Sequence, residues 1–207
     1  MTTRPSTPIS SRRRPKQARS NDLVAAILEA ALQVLAKEGA HRFTTTRVAE
    51  RAGVSVGSVY QYFPNKASIL FRLQSDEWRQ TTGMLVRILE DASMPPLDRL
   101  RALVHAFIRS ECEEAEVRTA LAAAAPLYRE APEAYEVRAS GDRTVQRFMA
   151  EALPNASKAK RALAAELITT TLGAVGKEFS ETPRTPREIK AYANAMADMF
   201  CAYIGTL

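Results

Sequence analysis

The sequence predicts an all-α chain, and three observations carry that expectation. Apolar residues recur at three- and four-residue spacing in segment after segment, the period of one face of a helix. Ala, Leu, Glu and Arg are frequent while Gly is limited to 8 of 207 residues, a balance that favours helices. No run of alternating β-branched residues is long enough to make a sheet. With 46% hydrophobic residues the chain can bury a real core, and its length allows one or two domains.

Met1–Arg19 is rich in Ser, Thr, Pro and Arg and has too little apolar area to offset ordering entropy. It is expected to be a disordered basic arm, with Arg12, Arg13, Arg14, Lys16 and Arg19 either solvated or lying along nucleic-acid phosphates. A first helix follows from Ser20, Asn21 and Asp22, which supply cap and dipole chemistry. Val24, Ile27, Leu28, Ala31, Val34 and Leu35 form its stripe, and Gly39 ends it. Phe43 is expected to fill a small core with Val48, Val59 and Phe63.

The stretch Phe43–Leu70 reads as two short helices, a tight turn and a third helix. Thr45 is expected as the N-cap of the first, Thr45–Ala52, with Val48 and Ala49 inward. Gly53 closes that helix in the left-handed region, where a residue without Cβ fits best. Val54 is a buried spacer, and Ser55 caps Val56–Tyr62. That seven-residue helix buries too little to be a core element. Val56, Gly57, Ser58, Gln61 and Tyr62 are read as its outward positions, with Tyr60 on the flank. Small and polar residues on a rigid support suit a DNA major groove. Pro64 stops the helix. Asn65 caps the next one, and Lys66 in its first turn opposes the helix dipole, so that terminus suits a phosphate. Charge agrees: residues 1–74 hold 12 Lys/Arg against 4 Asp/Glu, whereas residues 75–207 hold 17 against 19. The positive field belongs to the segment with the helix-turn-helix.

The core A-G-V-S-x-G-x-x-Y-x-Y-F-x-x-K, Ala52–Lys66, within KEGAHRFTTTRVAERAGVSVGSVYQYFPNKASIL, resembles the DNA-binding domain of the TetR (tetracycline-repressor-like) family. The similarity covers roughly Leu23–Phe71. It implies about nine helices: a helix-turn-helix domain over 20–66 after the arm at 1–19, and a ligand-binding and dimerisation domain over 67–207. It also implies contacts to double-stranded DNA at a palindromic operator. Thr45, Ser58, Tyr60, Tyr62 and Lys66 would meet phosphates, and Thr46, Val56, Gly57 and Gln61 would lie nearest base edges. Arg47 would add a phosphate contact or stay solvated, and Ser55 would serve beside them as cap.

A long helix is expected over about Ala67–Asp91, with Ile69, Leu70, Leu73, Trp78, Leu85, Ile88 and Leu89 apolar. The resemblance makes it a lever between DNA and ligand. Pro96 fits the first turn of the next helix, whose face is Leu97, Leu100, Val104, Phe107 and Ile108. An Ala-rich helix from Val117 is kinked or ended by Pro126, and another runs roughly Pro132–Leu153. Trp78, Leu103, Phe107, Tyr128, Phe148 and Met149 are candidate walls of a cavity for a hydrophobic or aromatic effector, although core packing explains each as well. Two last helices begin at Ser157 and after SETPRTP. Leu167, Ile168, Leu172, Val175, Tyr192, Met196, Met199, Phe200 and Tyr203 are candidate dimer contacts, in a four-helix bundle across a twofold axis.

Other chemistries find little support. Only His41 and His105 are present, and HExxH, CxxC, Walker and GxGxxG patterns are missing, so no catalytic residue, metal site or cofactor is assigned. Cys112 sits beside carboxylates that disfavour a thiolate, and Cys201 lies in an apolar stripe. The acidic cluster Glu111–Glu116 reads as a solvated face. No apolar stretch of membrane-spanning length and no secretory signal appear. The expected role is a cytoplasmic, nucleoid-associated homodimeric repressor released by a ligand; a non-specific architectural DNA-binding protein using the basic arm is the alternative.

Overall fold

A computed structural model describes residues 18–127 and 143–207, and among these the chain is helical with no strand. The helices are α1 (Ala18–Arg42), α2 (Thr45–Ala52), α3 (Val56–Tyr62), α4 (Lys66–Leu89), α5 (Pro96–Glu113) and α6 (Ala115–Ala124). A 3₁₀ turn, Ala125–Leu127, follows α6; then come α7 (143–152), α8 (Lys158–Ser180) and α9 (Pro186–Gly205). The all-α expectation holds. The basic arm up to residue 17, and Tyr128 and the first part of the helix expected from Pro132, lie outside the described residues.

Local chemistry sets the boundaries. Gly39 breaks the regularity of α1 at φ 72°, ψ 170°. Pro126 lies in the 3₁₀ turn that follows the end of α6 at Ala124. Pro96 stands at the first position of α5, where its missing N–H is not needed. Ser157 caps α8, and Thr185 with Glu188 forms a capping box at α9. One boundary residue is corrected: the N-cap of α2 is Thr44, not Thr45. Thr44 has extended angles, and its hydroxyl accepts from the Arg47 N–H at 3.2 Å.

Two compact units result. The first comprises residues up to Trp78 together with 116–137. Its core takes Ile27, Ala31, Val34 and Leu35 from α1, Val48 and Ala49 from α2, Val59 from α3, and Ile69 and Leu70 from α4. Phe43, Val48, Val59 and Phe63 are all fully buried together, as their spacing predicts. Leu121 and Ala124 of α6 join this same core, so α6 packs with the N-terminal helices despite its distance in sequence. Arg118 of α6 pairs with Glu77 of α4 at 2.8 Å, both largely buried.

The second unit comprises 79–115 and 138–207. Here α5 lies against both α8 and α9. Its core takes Leu100, Val104 and Ile108 from α5, Phe148 and Met149 from α7, Ala164, Ile168 and Leu172 from α8, and Ala193, Met196, Ala197, Phe200 and Ile204 from α9. The small residues let helices approach: α8 passes α5 at Gly176, where an added Cβ would stand 2.8 Å from the Phe107 ring. Two expectations fail here. Leu97 is exposed rather than part of the α5 face, and Glu111 is buried rather than solvated. Both follow from the angle at which α5 meets its neighbours, which helical periodicity does not fix.

Candidate nucleic-acid interface and effector cavity

The helix-turn-helix is a set of interlocked caps. The Gly53 N–H donates to Glu50 O at 3.2 Å and the Val54 N–H to Ala49 O at 3.0 Å, with Gly53 at φ 67°. This left-handed closure satisfies two end carbonyls and turns the chain within three residues. Ser55 then caps α3: its hydroxyl accepts from the Ser58 N–H at 3.0 Å and lies 2.8 Å from the Ser58 hydroxyl. The Thr45 and Tyr60 hydroxyls are 3.2 Å apart, tying α2 to α3. Val59 and Phe63 anchor the buried side of α3, so its opposite side is held by the fold and carries no core.

Gly57, Tyr60 and Gln61 are exposed on that side, Val56 and Ser58 half-exposed. On α2, Thr46 is exposed and Thr45 half-buried. Tyr62 is the exception among the outward residues: it is buried, and its hydroxyl lies 3.0 Å from Ser20 of α1. The helix turns 100° per residue, which carries Tyr62 back toward α1 beside Phe63. Its role is to dock α3, and Ser20 is the partner the sequence did not disclose. Val54 is half-buried, not fully so. Arg47 is engaged in an ion pair with Glu38 of α1. Lys66 is exposed at the start of α4, where Asn65 is the cap: its side chain accepts the Ser68 N–H at 2.9 Å.

The second unit contains an apolar cavity of about 180 Å³. Leu103, Phe107, Phe148 and Met149 line it as expected, with Leu85 and Leu89 of α4 and Ile168 and Leu172 of α8. The only polar side chains among its described walls are three threonines, and none of those walls is charged. Thr169 spends its hydroxyl on Ala165 O at 2.8 Å, so it offers the cavity mainly carbon. Trp78 is half-buried in the first unit and does not line the cavity. Thr82, Val86 and Thr144 are walls that sequence reasoning missed; only their spacing from Leu85 and Phe148 would have marked them.

The expected dimer contacts divide. Ile168, Leu172, Met196 and Phe200 are buried within the chain and belong to its own core, so they present no surface to a second copy. Val175, Tyr192 and Tyr203 are half-buried, and Tyr192 stacks on Phe179 at 3.9 Å. Leu167 and Met199 stay about half exposed, at 47% and 52%, and Leu163 on the same helix as Leu167 reaches 60%. Leu163 was not among the expected contacts. A helix with one stripe in the core and another bare is what separates these groups.

Both thiols are pushed above their ordinary range, first by burial; at Cys112 Arg184 opposes the shift and Glu113 adds to it. Among the described residues no cluster of three His, Cys, Asp or Glu could hold a metal ion. No helix among them is long and apolar enough to cross a membrane.

Comparison with known proteins adds independent findings. Residues 27–73 match the profile described as bacterial regulatory proteins, tetR family. Residues 95–207 match the tetracyclin repressor-like C-terminal domain. The fatty acid metabolism regulator protein of Bacillus subtilis is 34% identical over 65 residues, 31% of this chain and 31% of that protein. The chain thus spans about a third to two fifths of the length of the curated relatives it matches. A transcriptional regulator of the same family from Mesorhizobium loti superposes with a TM-score of 0.72 at 20% identity, over 90% of this chain and 98% of the other. The FadR regulator of Bacillus subtilis, solved with stearoyl-CoA, superposes with a TM-score of 0.64 at 17% identity, over 86% and 97%. At those identities the two superpositions show the fold.

Proposed function

The chain belongs to the TetR family of bacterial regulatory proteins, and from that premise we propose that it is a homodimeric, sequence-specific DNA-binding repressor released by an apolar effector. It acts in the cytoplasm, on the nucleoid, at a short palindrome. The observation that carries this is α3: a seven-residue helix capped at its start, pinned on one side by Val59, Tyr62 and Phe63, and bare on the other. A helix so held has its binding face organised before DNA arrives, which lowers the ordering entropy of association.

Thr45, Ser58, Tyr60 and Lys66 serve phosphates; Thr46, Val56, Gly57 and Gln61 lie at base edges. Val56 packs on a thymine methyl and Gln61 pairs with adenine. Arg47 reaches a phosphate only by leaving Glu38. Residues 20–66 carry the DNA contacts, and 67–207 carry the effector and dimer functions. The bare stripe of Leu163, Leu167 and Met199 meets its copy across a twofold axis, setting two α3 helices about one turn of DNA apart.

The effector occupies the apolar cavity of the second unit. Walls of carbon with no charge favour an acyl chain or an apolar ring, in keeping with the fatty-acid regulators to which the chain is similar. Helix α4 contributes Ile69 and Leu70 to the first core and Leu85 and Leu89 to the cavity. An effector that prefers another placement of Leu85 and Leu89 therefore biases the helix that begins at Lys66. It shifts the equilibrium only by its differential affinity for the two states.

Footprinting on genomic DNA around the protein's own gene, with sedimentation of the free chain, tests this. A protected palindrome bound by two protomers and released by an acyl compound is the expected result. A monomer, or uniform protection of random duplexes, overturns it; the latter outcome favours an architectural protein.

A further inference from the structure

A second cleft, of about 590 Å³, lies in the second unit between α5 and the start of α9. His105, Arg109 and Cys112 line it from one stripe of α5. Arg184, Pro186, Ile189 and Lys190 line it from the α8–α9 loop and the first turn of α9. Glu113 is the single carboxylate on its described walls, so three permanent cations face one anion.

The cations are unspent. Arg109 and Lys190 have no ion-pair or hydrogen-bond partner among the described residues. Arg184 is held in place: its Nε donates to Phe179 O at 3.0 Å, and its guanidinium lies 4.5 Å from the centroid of the Phe179 ring. That ring is stacked in turn on Tyr192. These contacts use one nitrogen and one face, leaving both terminal nitrogens as a fork on a fixed mount. A surface arginine that is merely solvated has no such mount. Pro186 brings the positive end of the α9 dipole to the same wall. The Glu188 carboxylate accepts from the Thr185 N–H and hydroxyl at one oxygen, each at 2.7 Å, and is close enough to Arg184 to offset part of its charge.

Like charges gathered around one cleft add their fields and draw an anion, although each of the three cations here is exposed to solvent. We propose that this cleft binds a small multivalent oxyanion, a phosphate ester or a polycarboxylate. The Arg184 fork takes two oxygens side by side, and Arg109 and Lys190 close on the remaining charge. Glu113 offsets one cation and Glu188 part of the Arg184 charge, so the remaining attraction grows with the charge of the ion and is larger for a multivalent anion than for a monovalent carboxylate. The volume admits an organic phosphate as well as an inorganic one. The site is separate from the apolar cavity and does not depend on the identity of the effector there.

The basic N-terminal segment also attracts polyanions, so the test must read this cleft alone. Calorimetric titrations with sodium pyrophosphate, ATP and citrate, at constant ionic strength, are compared between the natural protein and the double variant R109Q/K190Q. For at least one of the three ions, the variant should bind at least about tenfold more weakly, the equivalent of about 1.4 kcal/mol. Cys112 alkylation, read by peptide mass spectrometry with Cys201 as internal reference, should be slowed by the same ion in the natural protein and not in the variant. Pyrophosphate and ATP acting without citrate identifies a phosphate site; citrate acting equally identifies a general polyanion site. Equal affinities of the two proteins for all three ions overturn the proposal. So does a Cys112 effect that sodium chloride reproduces.

Discussion

Replacing Gly176 with Ala tests whether the apolar cavity is the effector site, because the added carbon acts on a cavity wall from behind. A Cβ there meets Phe107 Cε1 at 2.8 Å, Glu111 Cγ at 3.3 Å and Ile108 Cδ1 at 3.4 Å. Only the first is far inside contact distance. To reach ordinary contact the ring edge retreats by about 0.6 Å. Phe107 lines the cavity, so the space it retreats into is there. Overpacking of this kind costs about 1–3 kcal/mol, while Ala in place of Gly in a helix returns roughly 1 kcal/mol. With a compliant ring the cost sits at the low end, and the net loss is between about zero and 1 kcal/mol, a Tm drop of at most roughly 2–4 °C. Gly173→Ala serves as a control for stability only, since nothing lies within 4 Å of its added carbon but Gly173 is also a cavity wall; it should stabilise by about 1 kcal/mol. The functional signal is separate. Dodecanoate or a fluorescent apolar probe should bind Gly176→Ala roughly three- to tenfold more weakly, about 0.7–1.4 kcal/mol. Probe affinity equal to that of the natural protein, whatever the Tm, refutes the link between Phe107 and the ligand space.

The remaining predictions concern DNA, assembly and acid. Lys66→Ala should weaken binding to all duplexes alike and reduce the salt slope by about one, whereas Gln61→Ala should change preference at one base pair by about 1–3 kcal/mol; identical behaviour in salt-dependent gel shifts and half-site competition would sink the assigned roles. Leu167→Glu, at a site 47% exposed, should leave helicity unchanged and shift sedimentation from dimer to monomer; a persistent dimer would place the interface elsewhere. Thr185 holds the Glu188 carboxylate below its ordinary 4.5, through its backbone N–H first and its hydroxyl second. Because the folded-state pKa is the depressed one, this cap is fully present above about 4.5 and is lost as pH falls through the lower value. Amide exchange in the first turn of α9 should accelerate on acidification, and Glu188→Ala should abolish that pH dependence.

Much of the recognition apparatus was legible in the residues because its logic is local. Gly53, Ser55, Asn65 and Pro64 each act within a few positions, through allowed backbone angles and unpaired N–H groups, so order along the chain is enough to place them. The same holds for Phe43, Val48, Val59 and Phe63, whose spacing leaves one compact way to bury four side chains. Tyr62 and Thr44 show the limit: a shift of one residue in a cap, or one step around a seven-residue helix, decides between surface and core. A tertiary contact with Ser20 settled Tyr62, whereas the local bond from the Arg47 N–H settled Thr44.

The sequence by itself determined how the helices follow one another, with boundaries good to a few residues, and which end of the chain is positive. Helix α1 is already helical at Ala18, before the expected caps at Ser20, Asn21 and Asp22, and resumes past Gly39 to Arg42. Only the folded chain decided which apolar stripe of α8 and α9 is core and which is bare, because both stripes share the same period and differ solely in what α5 covers. It also decided that α6 packs with the N-terminal helices, and that four of the expected ligand residues surround one space. Those outcomes depend on crossing angles and on close approaches such as Gly176 against Phe107, which arise between segments distant in sequence and leave no periodic trace within either.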